Sequence, residues 1–318
     1  MSLHPQVKSL LTMFEARNLP PIEEQPLQAA RSGFTLMTQK LNTKEDIYKV
    51  EDRVIKGFKN DIKLRIYTPS EPKHLPALVY FHGGGWVVGN LDTHDALCRS
   101  LANEAGSIVV SVDYSLSPEE KFPVALEDSY VATKWVADHA DEVGIDRQFI
   151  AVGGDSAGGN LAAVVCYLAD IRKGPSISYQ FLFYPSTGYA KTDSYEKYGE
   201  NYNLNKSTMR WFQEQYLNSV DDMMNPLAAP MLIPDHETKK LPPAYILTAE
   251  YDPLCDGGEN YATKLKNAGV DTTYVCSSGM IHGFLCMTNP LDDAKKAIKD
   301  VAQHLREQYI KRVERSQV

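Results

Sequence analysis

Phe149-Ile150-Ala151-Val152-Gly153-Gly154-Asp155-Ser156-Ala157-Gly158-Gly159-Asn160 is the stretch on which the reading of this chain turns. The apolar run Phe149 to Val152 predicts a buried strand, and Leu161 to Ile171 carries the pattern of a helix. Strand, tight turn and helix therefore follow one another with a serine at the apex. Gly154-x-Ser156-x-Gly158 fits a nucleophile elbow, in which the turn strains the serine backbone and the flanking glycines let strand, helix and substrate approach closely. A glycine-rich turn with an incidental serine would match the same three positions; the strand before and the helix after favour the elbow.

Working outward, unbroken apolar runs recur on both sides of the elbow. Ala77 to Phe81, Ser107 to Val112, Tyr179 to Tyr184, Ala244 to Thr248 and Thr272 to Cys276 read as strands separated by helical segments near 94–105, 122–140, 157–172, 257–268 and 291–311. Such runs mark a parallel sheet buried on both faces. Asp61 to Tyr67 alternates polar with apolar residues and predicts a half-buried, antiparallel edge strand. With a strand at 50–57, the sheet should hold about eight strands, an α/β architecture.

Two regions lie outside this rhythm. Residues 1 to about 45 show helical periodicity, with Val7, Leu10, Leu11 and Phe14 in one segment and Phe34, Met37 and Leu41 in another, parted by Pro20-Pro21. Roughly 60 residues separate the strand ending at Tyr184 from the one starting at Ala244, more than a crossover needs. Within them Ser207 to Leu217 reads as a helix carrying Met209, Trp211, Phe212 and Tyr216. The expectation is one domain over 1–318, with about 1–45 and about 187–225 forming a helical cap that roofs an apolar pocket.

Composition narrows the function. Hydrophobic residues make up 43% and charged residues 23%, ordinary for a soluble globular protein. A net charge of −8 leaves no basic stripe to neutralise phosphates, so no nucleic-acid partner is expected. Cys98, Cys166, Cys255, Cys276 and Cys286 are odd in number and never spaced as CxxC, which predicts neither a disulfide framework nor a zinc site. Reduced thiols suggest the cytoplasm. The first residues lack a basic segment leading into a long apolar one, and no apolar run is long enough for a bilayer, so neither signal peptide nor membrane partner is expected.

His82-Gly83-Gly84-Gly85-Trp86 follows the strand Ala77 to Phe81 at its carboxyl end. Three residues without Cβ let consecutive N–H groups point at one atom, which suits an oxyanion hole. Gly84, Gly85 and the N–H of Ala157 are the expected donors, with Gly83 a weaker fourth. A phosphate loop would need a following GK[ST] or GxGxxG, and neither is present. His82 is expected to lock this loop. The chain has eight histidines. Of these His282 follows a late strand, in a loop at the end where α/β sheets bind ligands, and it is the expected general base. Asp252, in Tyr251-Asp252-Pro253-Leu254, is the expected partner of that imidazole, ahead of Glu250 and Asp256. Asp155 adjoins the serine but should point away from it and brace the loop or cap. Serine, acid and histidine then occur in the chain order of an α/β hydrolase.

HGGGW at 82–86, GDSAGGN at 154–160, YDPL at 251–254 and IHGF at 281–284 resemble the hormone-sensitive-lipase-like branch of the α/β hydrolases, in particular its small bacterial carboxylesterases. The resemblance runs nearly the whole length. Asp113-Tyr114-Ser115-Leu116-Ser117-Pro118-Glu119 is similar to a further family signature, but Ser115 stands where the family usually has arginine and Ser117 where it usually has alanine. The resemblance implies a two-part cap, no metal, no cofactor, a small-molecule ester as substrate with short acyl chains favoured, and a monomer or homodimer. It places Phe34, Leu204, Met209 and Phe212 in the acyl pocket. The competing readings are a non-catalytic receptor on the same scaffold, which would lack the histidine, a peptidase, which would carry a large extra domain, and a long-chain lipase.

Overall fold

The computed structural model describes residues 2–71 and 73–316. Its strands are β1 (Lys49–Lys56), β2 (Asp61–Thr68), β3 (Leu75–Phe81), β4 (Ile108–Asp113), β5 (Ile145–Asp155), β6 (Tyr179–Phe183), β7 (Ala244–Tyr251) and β8 (Thr272–Ile281). They form one sheet in the order β1-β2-β4-β3-β5-β6-β7-β8. β2 runs antiparallel to β1 and β4, and every other neighbouring pair is parallel. This is the α/β-hydrolase arrangement.

Burial follows position in the sheet. β1 at the edge is largely exposed, and central β3 is buried from its second residue onward. The alternating β2, expected at the edge, is half-buried and lies second, because β1 pairs along its whole length and takes the edge itself. Successive side chains of a strand face opposite sides. Ala77, Val79 and Phe81 therefore enter one core, and Leu78 and Tyr80 the other. Helices Val124–Asp138 and Ala157–Arg172 cover the first face through residues such as Leu126, Leu161 and Val165. Helices Asp95–Ala105 and Asp292–Ser316 cover the second through Leu97, Leu101, Ile298 and Leu305.

Register decides what meets at the carboxyl ends. Phe81 lies opposite Gly154, so the loop leaving β3 and the elbow leaving β5 emerge side by side. A Cβ on Gly158 would collide with the Phe81 carbonyl, so glycine is what lets the helix begin directly against β3. On the far side, a register shift between Ala249 and Tyr251 sets Tyr251 opposite Ile281. Asp252 and His282 consequently leave adjacent strands together.

Element boundaries differ from the sequence reading in two instructive places. β8 continues to Ile281, through the stretch read as loop around Gly279. Ser277-Ser278-Gly279 hides a strand because Gly279 bends at φ 71 and its N–H is taken by Glu250 Oε2 at 2.8 Å. The helix read at 122–140 is Val124–Asp138, followed by a separate turn Ala140–Val143.

The N-terminal helices diverge in role. Helix Pro5–Ala16 buries Val7 and Leu10 in the second core, and the His4 N–H donates to Gly279 O at 3.2 Å, anchoring it to the end of β8. Helix Leu27–Leu41 instead crosses above the sheet, where Ala30 and Phe34 meet Val87, Val88, Trp211 and Phe212. The long insertion contributes helices Asp193–Tyr198 and Lys206–Tyr216 above the carboxyl ends, and its later part returns to the first core through Ala228, Ile233 and Leu241.

Candidate active site

Ser156 occupies the turn between β5 and helix Ala157–Arg172 with φ 56 and ψ −115, a conformation costly for a residue with a Cβ. The turn is held from several sides: Ser156 N–H donates to Phe183 O at 2.8 Å, and its carbonyl accepts from Asn160 N at 3.1 Å and Ser186 N at 3.2 Å. The hydroxyl is thereby presented at the helix N-terminus. Ser156 Oγ lies 2.9 Å from His282 Nε2, and His282 Nδ1 lies 2.7 Å from Asp252 Oδ2.

Asp252 is 0% exposed and His282 is 8% exposed. A buried carboxylate can only accept hydrogen bonds, so it fixes the proton on Nδ1 and leaves Nε2 free to take one from the serine. Leu254 N–H donates to the other carboxylate oxygen at 2.8 Å, and the ring of Tyr184 packs edge-on to the imidazole at 5.0 Å. The competing acids are engaged elsewhere. Glu250 accepts from Gly279 N–H, which holds its carboxyl below the ordinary range, and Asp256 Oδ2 accepts from Ser194 N–H at 2.7 Å.

The loop after β3 faces the serine. Gly84 and Gly85 adopt φ 119 and φ 59, so both need glycine, and the face of Phe212 lies where a Cβ of Gly85 would be. The N–H groups of Gly84, Gly85 and Ala157 donate to no protein acceptor among the described residues. The N–H of Gly83 does: it donates to Asp155 Oδ1 at 2.9 Å, which removes it from the oxyanion donors.

Asp155 is the hub of this loop. Its Oδ1 also accepts from Tyr80 Oη at 2.7 Å and lies 3.0 Å from His94 Nε2, a charge pair rather than an aligned hydrogen bond. Burial would push His94 down, but the Asp155 carboxylate outweighs it and holds the imidazole well above its ordinary value. Burial likewise opposes ionisation of Asp155, and His94 with the Tyr80 hydroxyl lowers it nonetheless. His82 sits beside them with Nδ1 2.8 Å from Gly83 O and its ring stacked on Tyr114 at 4.3 Å. Burial and the neighbouring His94 push it down to about 3, so it is neutral. His94, Asp155 and Cys286 present ligand-type atoms within 4.8 Å of one another. Oδ1 of the Asp155 carboxylate meets Gly83 N–H, Tyr80 Oη and His94 Nε2, contacts that brace the loop.

Above the serine lies a cavity of about 490 Å³. Phe34, Leu204, Met209 and Phe212, the four residues expected at an acyl pocket, all line it, together with Ile22, Met37 and Leu41 from the N-terminal segment and Tyr189 and Tyr195 from the insertion. Three contributors escaped the sequence reading. His94 and Tyr80 act through Asp155, and Asn203, whose Nδ2 donates to His282 O at 3.0 Å, ties the insertion to the histidine loop. A second tie is Asn160, whose Nδ2 donates to Ser186 O at 2.8 Å and Ala228 O at 2.9 Å.

At the position that departs from the family signature, Ser115 N–H donates to Asp128 Oδ2 at 3.0 Å, while Phe58 N–H donates to Oδ1 at 2.7 Å. Backbone donors thus satisfy this buried carboxylate. Arg31, from the N-terminal helix, reaches the same loop and donates to Val87 O at 2.9 Å, Ser117 O at 3.0 Å and both oxygens of Glu119 at 2.7 Å.

Fold and site together define an α/β hydrolase. A family model described as the α/β hydrolase fold matches residues 78–286. The carboxylic ester hydrolase LipN of Mycobacterium tuberculosis is 45% identical over 245 residues, spanning 74% of this chain and 64% of that protein. An ethyl acetate hydrolase of Pseudomonas putida is 34% identical over 96% of this chain and 99% of its own. Among solved structures, a hyperthermophilic esterase from the archaeon Pyrobaculum calidifontis superposes with a TM-score of 0.92 at 41% identity, covering 98% of this chain and 100% of that one. The chain belongs to the α/β-hydrolase family, in the hormone-sensitive-lipase-like branch that its motifs resemble. No helix among the described residues is long and apolar enough to cross a membrane.

Proposed function

We propose that this protein, a carboxylesterase by family and fold, hydrolyses small esters with short acyl chains through Ser156, His282 and Asp252. The observation that carries the reading is the unbroken chain of hydrogen bonds from Asp252 through His282 to Ser156, at 2.7 and 2.9 Å, beside three N–H groups that donate to no protein acceptor among the described residues. His282 Nε2 takes the proton of Ser156 as Oγ attacks the acyl carbon. The N–H groups of Gly84, Gly85 and Ala157 hold the oxyanion, Asp252 stabilises the imidazolium, and His282 then protonates the departing alcohol. Water, activated in turn by His282, releases the acid from the acyl-enzyme. No cofactor is needed for these steps.

Of the cap expected over about 1–45 and about 187–225, helix Leu27–Leu41 and helices Asp193–Tyr198 and Lys206–Tyr216 roof the cavity, while helix Pro5–Ala16 packs into the second core; Phe34, Leu204, Met209 and Phe212 receive the acyl chain. The modest volume of the cavity, about 490 Å³, and its apolar side chains support short acyl chains. The free cysteines support a reducing, cytoplasmic setting. Hydrolysis of p-nitrophenyl acetate, butyrate and palmitate by the wild type, Ser156→Ala and His282→Ala tests the reading. Butyrate should turn over at least tenfold faster than palmitate, and each variant should lose on the order of 10⁶ in kcat. Equal rates on palmitate would overturn the chain-length assignment, and an active Ser156→Ala would overturn the mechanism.

A further inference from the structure

Beside Asp252 and His282 lies a second pair of reactive groups, one on β8 and one at the start of the helix that follows β7. Thr248 of β7 lies opposite Cys276 of β8. Cys255 opens the helix Cys255–Asn267, and its Sγ is 3.9 Å from Cys276 Sγ and 3.7 Å from Thr248 Oγ1. Cys276 is exposed, whereas Cys255 and the other three cysteines are buried. A reagent in solution therefore meets Cys276 first, with one further thiol within reach behind it. That is the arrangement of an attacking and a resolving cysteine. The Cys255 hydrogen bond favours the thiolate at Cys276 and brings it down to about 7, against partial burial and the charge of Glu250, while the same contact pushes Cys255 up.

We propose that Cys255 and Cys276 form a reversible dithiol–disulfide site that small-molecule disulfides oxidise. The Cys276 thiolate attacks one sulfur of the disulfide, forming a mixed disulfide and releasing one thiolate. Cys255 then loses its proton and attacks the Cys276 sulfur, closing the intramolecular bond and releasing the second thiolate. One external disulfide is reduced to two thiols as the two cysteines are oxidised. A disulfide needs sulfurs about 2.05 Å apart, so closure draws the start of the helix towards β8. That first turn holds the proposed acid: Cys255 N–H donates to Asp252 O at 3.0 Å and Leu254 N–H to Asp252 Oδ1. Oxidation should therefore disturb the Asp252–His282 contact and reduce turnover.

The test is incubation of the native protein with oxidised glutathione at pH 8, read by thiol titration after denaturation, peptide mass mapping and p-nitrophenyl butyrate turnover. The wild type should lose two of its five thiols, yield a linked peptide pair containing residues 255 and 276, and lose activity several-fold with recovery in dithiothreitol. Cys255→Ser should stop at a stable glutathione adduct on Cys276, and Cys276→Ser should remain unmodified and fully active. A wild type that stops at the glutathione adduct, or retains all its thiols, would overturn the pair. A disulfide that leaves turnover unchanged would overturn its coupling to Asp252.

Discussion

Replacing Asp252 with asparagine changes two atoms' chemistry and almost no volume, which makes it a clean probe of the site. The native carboxylate is fully buried and accepts from His282 Nδ1 and from Leu254 N–H at 2.8 Å. An amide has one acceptor oxygen for these two donors. If it keeps the Leu254 N–H, the amide nitrogen faces Nδ1, and the proton must move to Nε2, where it blocks uptake of the Ser156 proton. If it turns over, the Leu254 N–H is left unsatisfied in a dry site. The first outcome preserves folding and removes the general base, a loss of about 10⁴ in kcat, or about 5.5 kcal/mol of transition-state stabilisation. Turnover of p-nitrophenyl butyrate by Asp252→Asn and Glu250→Gln, with thermal unfolding of both, separates the roles. Asp252→Asn should lose about four decades with little change in Tm, while Glu250→Gln, which weakens a brace on Gly279, should stay within about tenfold of wild type. The opposite ranking of the two variants would refute the assignment of Asp252.

Gly85→Ala should cost about 10²-fold in kcat or more, since the new Cβ meets the Phe212 ring at φ 59 and shifts an oxyanion donor; near-wild-type turnover would exclude Gly85 from that role. His94→Gln should lower Tm most at low pH. The folded His94 titrates above the unfolded value of about 6.5, so its stabilisation is fully present below that value and fades as pH rises through the folded one. Unfolding scans of both proteins from pH 6 to 9 should therefore show the gap narrowing, and a constant gap would contradict the charge pair with Asp155.

Local chemistry made the scaffold legible from sequence. Unbroken apolar runs against one alternating run predict a parallel sheet with one antiparallel strand, and β2 is antiparallel to both its neighbours, but β1 and not β2 takes the edge. The serine turn was legible because Gly154 and Gly158 flank the serine between a strand-like and a helix-like run, whereas the reason Gly158 must be glycine, the Phe81 carbonyl of β3, is a contact between distant segments. The loop of Gly84 and Gly85 was legible as a glycine run after a strand-like one, and both residues adopt positive φ. What depended on register was out of reach. The sequence favours Asp252 over Glu250 through the proline that follows it, but the shift between Ala249 and Tyr251 is what turns one towards His282 and the other towards Gly279. Gly83 looked like its neighbouring glycines until Asp155, 72 positions away, claimed its N–H. The brace of Tyr80 and His94 on that carboxylate, and the seat of helix Pro5–Ala16 against β8, are likewise contacts between distant segments. Periodicity and turn chemistry are written in consecutive residues, whereas hydrogen bonds across a sheet exist only once the tertiary structure sets which residues stand opposite.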